Sequence, residues 1–251
     1  MLDCISVGNM RRSDALTIEK YVPSQTLMYR AAMGVFMAVD WHGSIAIAVG
    51  SGNNGGDGYA LACILKSRGI NCCIVKLSDK MSPDGAFFAE TASSLDVRMI
   101  PFTPTCFQGA DIIVDCLLGT GFKGAVRQSY LEAIREINRS GAYVVSVDIN
   151  SGMDGDTGLA VEAVRSDLTV TIGYLKNGLV TPDAGKWIRR LVCADIGIVL
   201  EREENKICSA SEWNQSLADR ENCFLAPDFM DMNTIDARSY APGQSITAQG
   251  E

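Results

Sequence analysis

Histidine is nearly absent from this chain of 251 residues: His42 is the only one. That scarcity makes a Cys/His zinc site improbable and leaves no imidazole for acid–base work elsewhere. His42 itself lies between Trp41 and Gly43 just ahead of an apolar run, a position that reads as a link between elements rather than a catalyst. Basic residues are also in deficit, 22 Lys+Arg against 30 Asp+Glu, for a formal net charge of -8 and a sequence pI near 4.8. Nothing in that balance supplies the positive footprint that a nucleic-acid backbone or an anionic membrane surface rewards. No apolar run approaches the roughly 20 residues of a membrane span, and Met1 to Met10 lack the basic-then-apolar order of a secretory signal. The 9 Cys are odd in number, form no C-x-x-C pair and include the adjacent Cys72 and Cys73, a poor disulfide framework. A soluble, cytoplasmic protein acting on a small molecule or a protein partner is expected.

What the chain does have is length and apolar content for one large core, with 47% hydrophobic residues. Leu27, Met28, Ala31, Ala32, Val35, Phe36 and Val39 fall at helical spacing, with Pro23-Ser24 as a start signal, and a preceding helix is expected over Asp14 to Tyr21. The period then changes. Ser44–Val49, Asn71–Leu77, Asp111–Cys116, Tyr143–Asp148 and Asp167–Ile172 are short runs rich in Val and Ile, as in strands buried on both faces. Helical stretches over Asp57–Arg68, Pro83–Leu95 and Arg127–Arg139 separate them, and strand-like pieces continue from Gly178 to Ile198. Alternation of this kind predicts a parallel α/β sheet with helices on both faces over residues 1–200. Residues 201–251 show a charge run and no sustained period, and read as a weakly ordered tail.

The strongest chemical signal follows the first strand of that series, in Gly50-Ser51-Gly52-Asn53-Asn54-Gly55-Gly56-Asp57-Gly58. Gly50, Gly52 and Gly55 satisfy the dinucleotide fingerprint G-x-G-x-x-G between a strand and a helix, where backbone N–H groups and the helix dipole can meet a phosphate. Alone the fingerprint is weak. Asn53, Asn54 and Asp57 also crowd the loop with side-chain oxygens, and the next strand lacks the acidic residue that a dehydrogenase sets on the ribose, the nearest being Asp79. Two more strand ends repeat the theme: Asp115 leads into Gly119-Thr120-Gly121-Phe122-Lys123-Gly124, and Asp148 leads into Ile149-Asn150-Ser151-Gly152. In an open parallel sheet, ligands bind beyond the carboxyl ends of the strands, so the three loops can share one crevice.

Together GSGNNGGDG from Gly50, DCLLGTG from Asp115 and VDINSGMDGDTG from Val147 resemble the NAD(P)H-hydrate epimerases, including the amino-terminal half of the bifunctional nicotinamide-nucleotide repair proteins. The similarity extends through Leu27-Met28, Thr169–Gly178 (TVTIGYLKNG) and Asp195-Ile196-Gly197. It implies a Rossmann-like three-layer αβα sandwich. It further implies interconversion of the R and S epimers of hydrated NADH and NADPH, in series with a separate, S-specific dehydratase. Carried over by motif, a potassium ion falls to Asn54, Asp115 and Ser151. The hydrated dinucleotide falls to Asn53, Asn54, Gly55, Gly56 and Asp57, to Gly119, Thr120, Gly121, Phe122, Lys123, Gly124 and Ala125, and to Asp148. Asp148 also becomes the general acid/base; its ordinary pKa of about 3.9 has to rise through burial for it to act as an acid near neutral pH. Asp57 reads either as a second crevice carboxyl or as a cap for its helix, and the cap is the expectation. The family generally forms homodimers, to which Met33 and Met37 could offer apolar surface.

The chain departs from the family at Tyr29, where an acidic residue is usual, at Ala32 in place of glycine, and at Asn150 in place of proline. Residues 201–251 are too few for a dehydratase domain, so no dehydratase activity is expected. Two other readings stay open: an NAD(P)-dependent oxidoreductase that uses Gly50–Gly55 as a plain fingerprint, and a non-catalytic binding protein on the same fold.

Overall fold

The computed structural model describes residues 2–201, 206–208 and 224–225. In chain order the elements are β1 (Leu2–Ile5), α1 (Val7–Lys20), α2 (Ser24–Ala38), β2 (Ile45–Val49), α3 (Asn53–Ser67), β3 (Cys72–Lys76), α4 (Pro83–Ser94), β4 (Arg98–Pro101) and β5 (Ile112–Cys116). They continue with α5 (Gln128–Arg139), β6 (Tyr143–Val147), β7 (Leu168–Ile172), β8 (Leu175–Lys176), two 3-10 turns (Asn177–Val180 and Pro182–Lys186), β9 (Arg190–Ala194), β10 (Lys206–Cys208) and β11 (Phe224–Leu225).

The main sheet has the order β11-β9-β7-β6-β5-β2-β3-β4, and every neighbouring pair in it is parallel. β2, β5 and β7 are buried at all five positions, which explains their unbroken apolar composition. On one face Ile45, Ile47 and Val49 alternate with neighbours against α2, α3 and α4, where α3 is buried from Asn54 to Leu65 at all positions but Asp57. On the other, Ala46 and Ala48 meet α5, whose Tyr130, Ala133, Ile134 and Ile137 form a single stripe. This is the expected three-layer α/β architecture.

Chain order and strand order part company at one point. From β2 the chain moves outward to β3 and β4, then returns to lay β5 on the opposite side of β2, and proceeds to β6, β7 and β9. β2 and β5 therefore form the switch point of the sheet, beyond whose carboxyl ends a ligand crevice is expected. A smaller sheet, β10-β1-β8, stands beside it and sets Ile5 next to Lys176.

The expected strands and helices form within a few residues of their predicted limits, with three differences. α1 begins at Val7 rather than Asp14, because the Ser6 hydroxyl accepts from the Asn9 amide and the Asp156 carboxylate takes the Val7 amide. α3 begins at Asn53, so Asp57 lies a turn inside the helix and does not cap it; Gly52 holds the cap position without a side-chain bond. β1 and β4 were not expected. His42 is exposed between α2 and β2 with Nδ1 2.9 Å from the Asp40 carbonyl, an inter-element residue as expected. No disulfide joins any two of the seven cysteines whose side chains are described. Within the expected tail, 206–208 pairs antiparallel with β1 and 224–225 parallel with β9, and the remaining positions beyond Glu201 lie outside the described residues.

Candidate active site

The loop after β2 lies against the loop after β5 with no room between them. A Cβ at Gly50 would stand 1.9 Å from the Leu117 carbonyl oxygen, and one at Gly55 2.2 Å from that of Gly50. Both glycines are thus demanded by packing, whereas a Cβ at Gly52 would meet nothing and that residue lines the open crevice. With Gly52 uncapped, the first amides of α3 are directed to the crevice, the arrangement that suits an anion.

Asp115, near the end of β5, is fully buried and satisfied on both oxygens. Oδ1 accepts from the Leu117 amide (3.2 Å) and the Ser151 hydroxyl; Oδ2 accepts from the Ser146 hydroxyl and the Ser151 amide, both at 2.9 Å. Burial raises its carboxyl above the ordinary carboxylate range, and these donors oppose the rise. The Leu118 amide donates to Ser151 Oγ (2.8 Å), and Asn54 Nδ2 donates to the Leu118 carbonyl (3.0 Å). Asn54, Asp115 and Ser151 are thereby knitted together around the Leu118 backbone. One oxygen remains over: Asn54 Oδ1 is buried and accepts from no described residue.

Asp148 directly follows β6 with φ +67°, a left-handed backbone that aspartate tolerates and that clusters at functional positions. Its amide is fixed by the Val170 carbonyl at 2.8 Å. The carboxylate is paired rather than isolated by burial, the condition that the sequence reading set for it to act as an acid. Its Oδ1 lies 2.5 Å from the ammonium of Lys176, a side chain 1% exposed. Lys176 Nζ spends its other two protons on Thr171 Oγ1 (3.0 Å) and the Ile172 carbonyl (2.6 Å).

These groups open onto a crevice of about 520 Å³, within the range of small-molecule sites. Of the residues expected to hold the dinucleotide, Asn53, Asn54, Asp57, Gly119, Thr120, Gly121, Phe122 and Asp148 line it. Gly55 and Gly56 are instead buried inside α3, and Lys123, Gly124 and Ala125 are exposed beyond the wall. Asp115 and Ser151 lie beneath the floor, fully buried.

Four ionisable wall residues escaped the sequence reading: Arg11 and Asp14 from α1, Asp84 from α4, and Lys176. Lys176 belongs to the TVTIGYLKNG stretch, but only its pairing with Asp148 gives it a role. Asp14 comes from α1, which spans the crevice and is tied down by Arg12–Glu201 (2.5 Å) and by the Glu201 and Val199 amides on Ser13 and Thr17. Burial pushes the Asp14 carboxyl up to about 6, the Lys176 charge pulling down and Asp148 pushing up. Asp57 is raised well above the ordinary carboxylate range by burial first, then by the charges of Asp148 and Asp14.

Asn150, in place of the usual proline, is fully buried and structural. Its Nδ2 donates to the Val164 and Trp187 carbonyls and to Ser166 Oγ, and Oδ1 accepts from Thr169 Oγ1 at 2.6 Å. It ties the Asp148 loop to β7 by hydrogen bonds where a proline would act through backbone stiffness. Ala32 is buried without exposure against the sheet, and Tyr29 points outward, 40% exposed.

A parallel sheet with a switch-point crevice and three oxygen-bearing strand-end loops defines a Rossmann-like α/β enzyme. More narrowly, the chain belongs to the family described as YjeF-related protein N-terminus, whose model matches residues 24–178. It is 35% identical over 199 residues to the NAD(P)H-hydrate epimerase of Limosilactobacillus fermentum, covering 76% of this chain and 95% of that protein. It is 32% identical over 198 residues to the bifunctional NAD(P)H-hydrate repair enzyme Nnr of Coxiella burnetii, covering 75% of this chain and 40% of the relative. The crystal structure of yeast ynu0, YNL200c, superposes with a TM-score of 0.65 at 20% identity, over 70% of this chain and 83% of the other, and so shares the fold.

Proposed function

We propose that this chain is an NAD(P)H-hydrate epimerase, an isomerase that interconverts the R and S hydrates of NADH and NADPH so that a separate, S-specific dehydratase can return the S form to the reduced nucleotide. The observation that carries the reading is the Asp148–Lys176 pair at a switch-point crevice walled by Asn53, Asn54, Asp57 and the loop from Gly119 to Phe122, in a chain 35% identical to a curated epimerase.

The chemistry asks little of the protein. The hydrated carbon carries a hydroxyl beside the ring nitrogen, whose lone pair expels it once the oxygen is protonated. A planar cation results, and water can return to either face. What is needed is a carboxyl that exchanges protons with these oxygens, and Asp148 supplies it. Lys176 holds that carboxyl in one orientation, since all three ammonium protons are committed to fixed acceptors. The uncapped start of α3 suits the pyrophosphate. An ordinary oxidoreductase finds less here: β3 ends in Lys76, and Asp79 is drawn to that lysine at 2.8 Å rather than left for a ribose.

Potassium fits the residues present. Asn54 offers a buried oxygen with no described donor, Asp115 one formal charge and Ser151 a hydroxyl, the low charge density that suits a large monovalent ion better than magnesium. Bound, the ion would supply a fixed positive charge that steadies the three loops. The active form is read as a cytoplasmic homodimer. Among the described residues no helix is long and apolar enough to cross a membrane.

Incubation of the purified chain with separated R hydrate, followed by chromatography of the epimers, tests the reading. Formation of S hydrate without change in redox state supports it, and an unchanged R peak opposes it.

A further inference from the structure

The Asp148–Lys176 pair raises a difficulty for chemistry with one carboxyl. An oxygen 2.5 Å from an ammonium that is itself fully hydrogen-bonded is held as an acceptor. Held so, this carboxyl serves one face of the planar ring, whereas epimerisation breaks a C–O bond on one face and makes one on the other, so a second proton donor is needed on the far side. The ammonium cannot be that donor without abandoning one of its three acceptors inside a site where it is 1% exposed.

The crevice wall carries other ionisable groups: Asp14 and Arg11 from α1, Asp57 from α3 and Asp84 from α4. α2 contributes only Ser24, Leu27, Met28 and Ala31 to the wall, and β5 places Cys116 beneath Asp57, its thiol pushed far up by burial and by the charges of Asp115 and Asp57. Arg11 reaches outward, donating to the Thr120 carbonyl at 3.2 Å. Asp14, Asp57 and Asp148 therefore surround a single ammonium. Neither Asp14 nor Asp57 accepts a hydrogen bond from any described residue, and Lys176 is the side-chain cation whose charge acts on both. A cluster of this composition lowers its free energy by retaining a proton on one of the unbonded carboxyls. Burial raises the Asp57 carboxyl further than that of Asp14, and Asp57 stands in the first turns of α3 on the crevice wall.

We propose that Asp57 delivers the proton to the departing hydroxyl, that the Asp148–Lys176 pair takes the proton of the incoming water, and that Asp14 sets how firmly Asp57 holds its own. The inference rests on the epimerase reading and adds a second catalytic carboxyl to it. As the C–O bond breaks, the nitrogen lone pair forms the C=N⁺ bond and the hydroxyl leaves as water with the Asp57 proton. Water then adds to the cationic carbon; its oxygen makes the new C–O bond, its proton passes to Asp148, and the C=N⁺ pair returns to nitrogen. Asp57 is now the carboxylate and Asp148 the acid. Reversal from the other epimer uses them in exchanged roles, and proton exchange through solvent restores the starting state. Lys176 stays an ammonium throughout.

Two measurements on the full chain test this. In the first, R-to-S conversion is followed from pH 5 to 9 for wild type, Asp57→Asn and Asp14→Asn. The wild-type rate should fall on the alkaline side as Asp57 loses its proton. Asp57→Asn should lower kcat by about 100-fold or more with little change in KM, and erase the alkaline fall. Asp14→Asn should move the fall to lower pH, because a negative charge that helps Asp57 keep its proton is gone. In the second, without substrate, carbon-13 NMR of labelled aspartate carboxyls should show one carboxyl still protonated at pH 7 and missing from Asp57→Asn. An Asp57→Asn enzyme within threefold of wild type, or wild type with every aspartate ionised at pH 7, overturns the proposal while leaving the epimerase reading intact. Wild type that converts no hydrate overturns the epimerase reading, and the step given to Asp57 with it.

Discussion

Lys176 and Asp148 are 28 positions apart in sequence and 2.5 Å apart in space, the ammonium at the end of β8 meeting the carboxylate just after β6. The ammonium is almost wholly buried and the carboxylate side chain 16% exposed. A pair of this kind is costly to break from one side, since the survivor keeps a charge without its partner.

Lys176→Met, which preserves length but removes the charge, should therefore destabilise the chain by about 3 kcal/mol and leave Thr171 and the Ile172 carbonyl short of a donor. Adding Asp148→Asn to it should recover part of that loss. Urea unfolding of the two single variants and the double variant gives the coupling; strict additivity would show that the pair is not an energetic unit.

Asp14 has the opposite relation to stability. Its carboxyl is raised to about 6 from 3.8, so between those values the folded state binds more protons than the unfolded one and stability falls as pH rises. The full loss is present above about 6. At about 1.36 kcal/mol per pH unit, it reaches roughly 3 kcal/mol as an upper bound, reduced by the solvent that still reaches this half-buried group. Asp14→Asn should thus raise the melting temperature at pH 7.5 and leave it nearly unchanged at pH 4. Equal shifts at both pH values would mean that the carboxyl is not raised.

Asp115→Ala should remove the acceptor of four donors at once, and with it the link between β5 and the Ser151 loop. A loss of about 3 kcal/mol or more is expected, together with loss of any dependence of melting temperature on potassium. Wild type should melt higher in potassium chloride than in tetramethylammonium chloride at equal ionic strength. Identical melting in the two salts would leave Asp115 as a loop clamp with no ion.

The homodimer expectation is testable by light scattering at micromolar concentration, where a mass twice the chain's 27.0 kDa is predicted. Met33, one of the two residues offered for that surface, is half-buried against the core. Exposed Ile18, Tyr21 and Tyr29 supply more apolar area on the first two helices. A monomer mass would contradict the expectation.

The central strands were legible because both of their faces are buried, which forces an unbroken apolar composition. β4 escaped notice because it is an edge strand: only Met99 and Ile100 are half-buried, and it ends in Pro101. β1 is four residues long and gains its partners from β8 and β10, far along the chain. The loop residues were readable as a set because glycine and oxygen-bearing side chains concentrate at strand ends. Lys176 and Asp14 were not, since a lysine after a strand and an aspartate in a helix are ordinary until the fold brings them to one crevice. Asn150 could be seen as a departure, but that its amide replaces a proline's stiffness with four hydrogen bonds depends on where Val164, Ser166, Thr169 and Trp187 fall in space.

The most direct test of the central claim is the equilibration of a single epimer of hydrated NADH by the purified chain, with Asp148→Asn alongside. Wild type should bring R hydrate to a stable R/S mixture, and the same mixture should be reached from S hydrate. Asp148→Asn should keep its fold and its affinity for the hydrate while converting it at least about 100-fold more slowly. Wild type that leaves R hydrate unchanged, or Asp148→Asn that equilibrates it at the wild-type rate, would contradict the account.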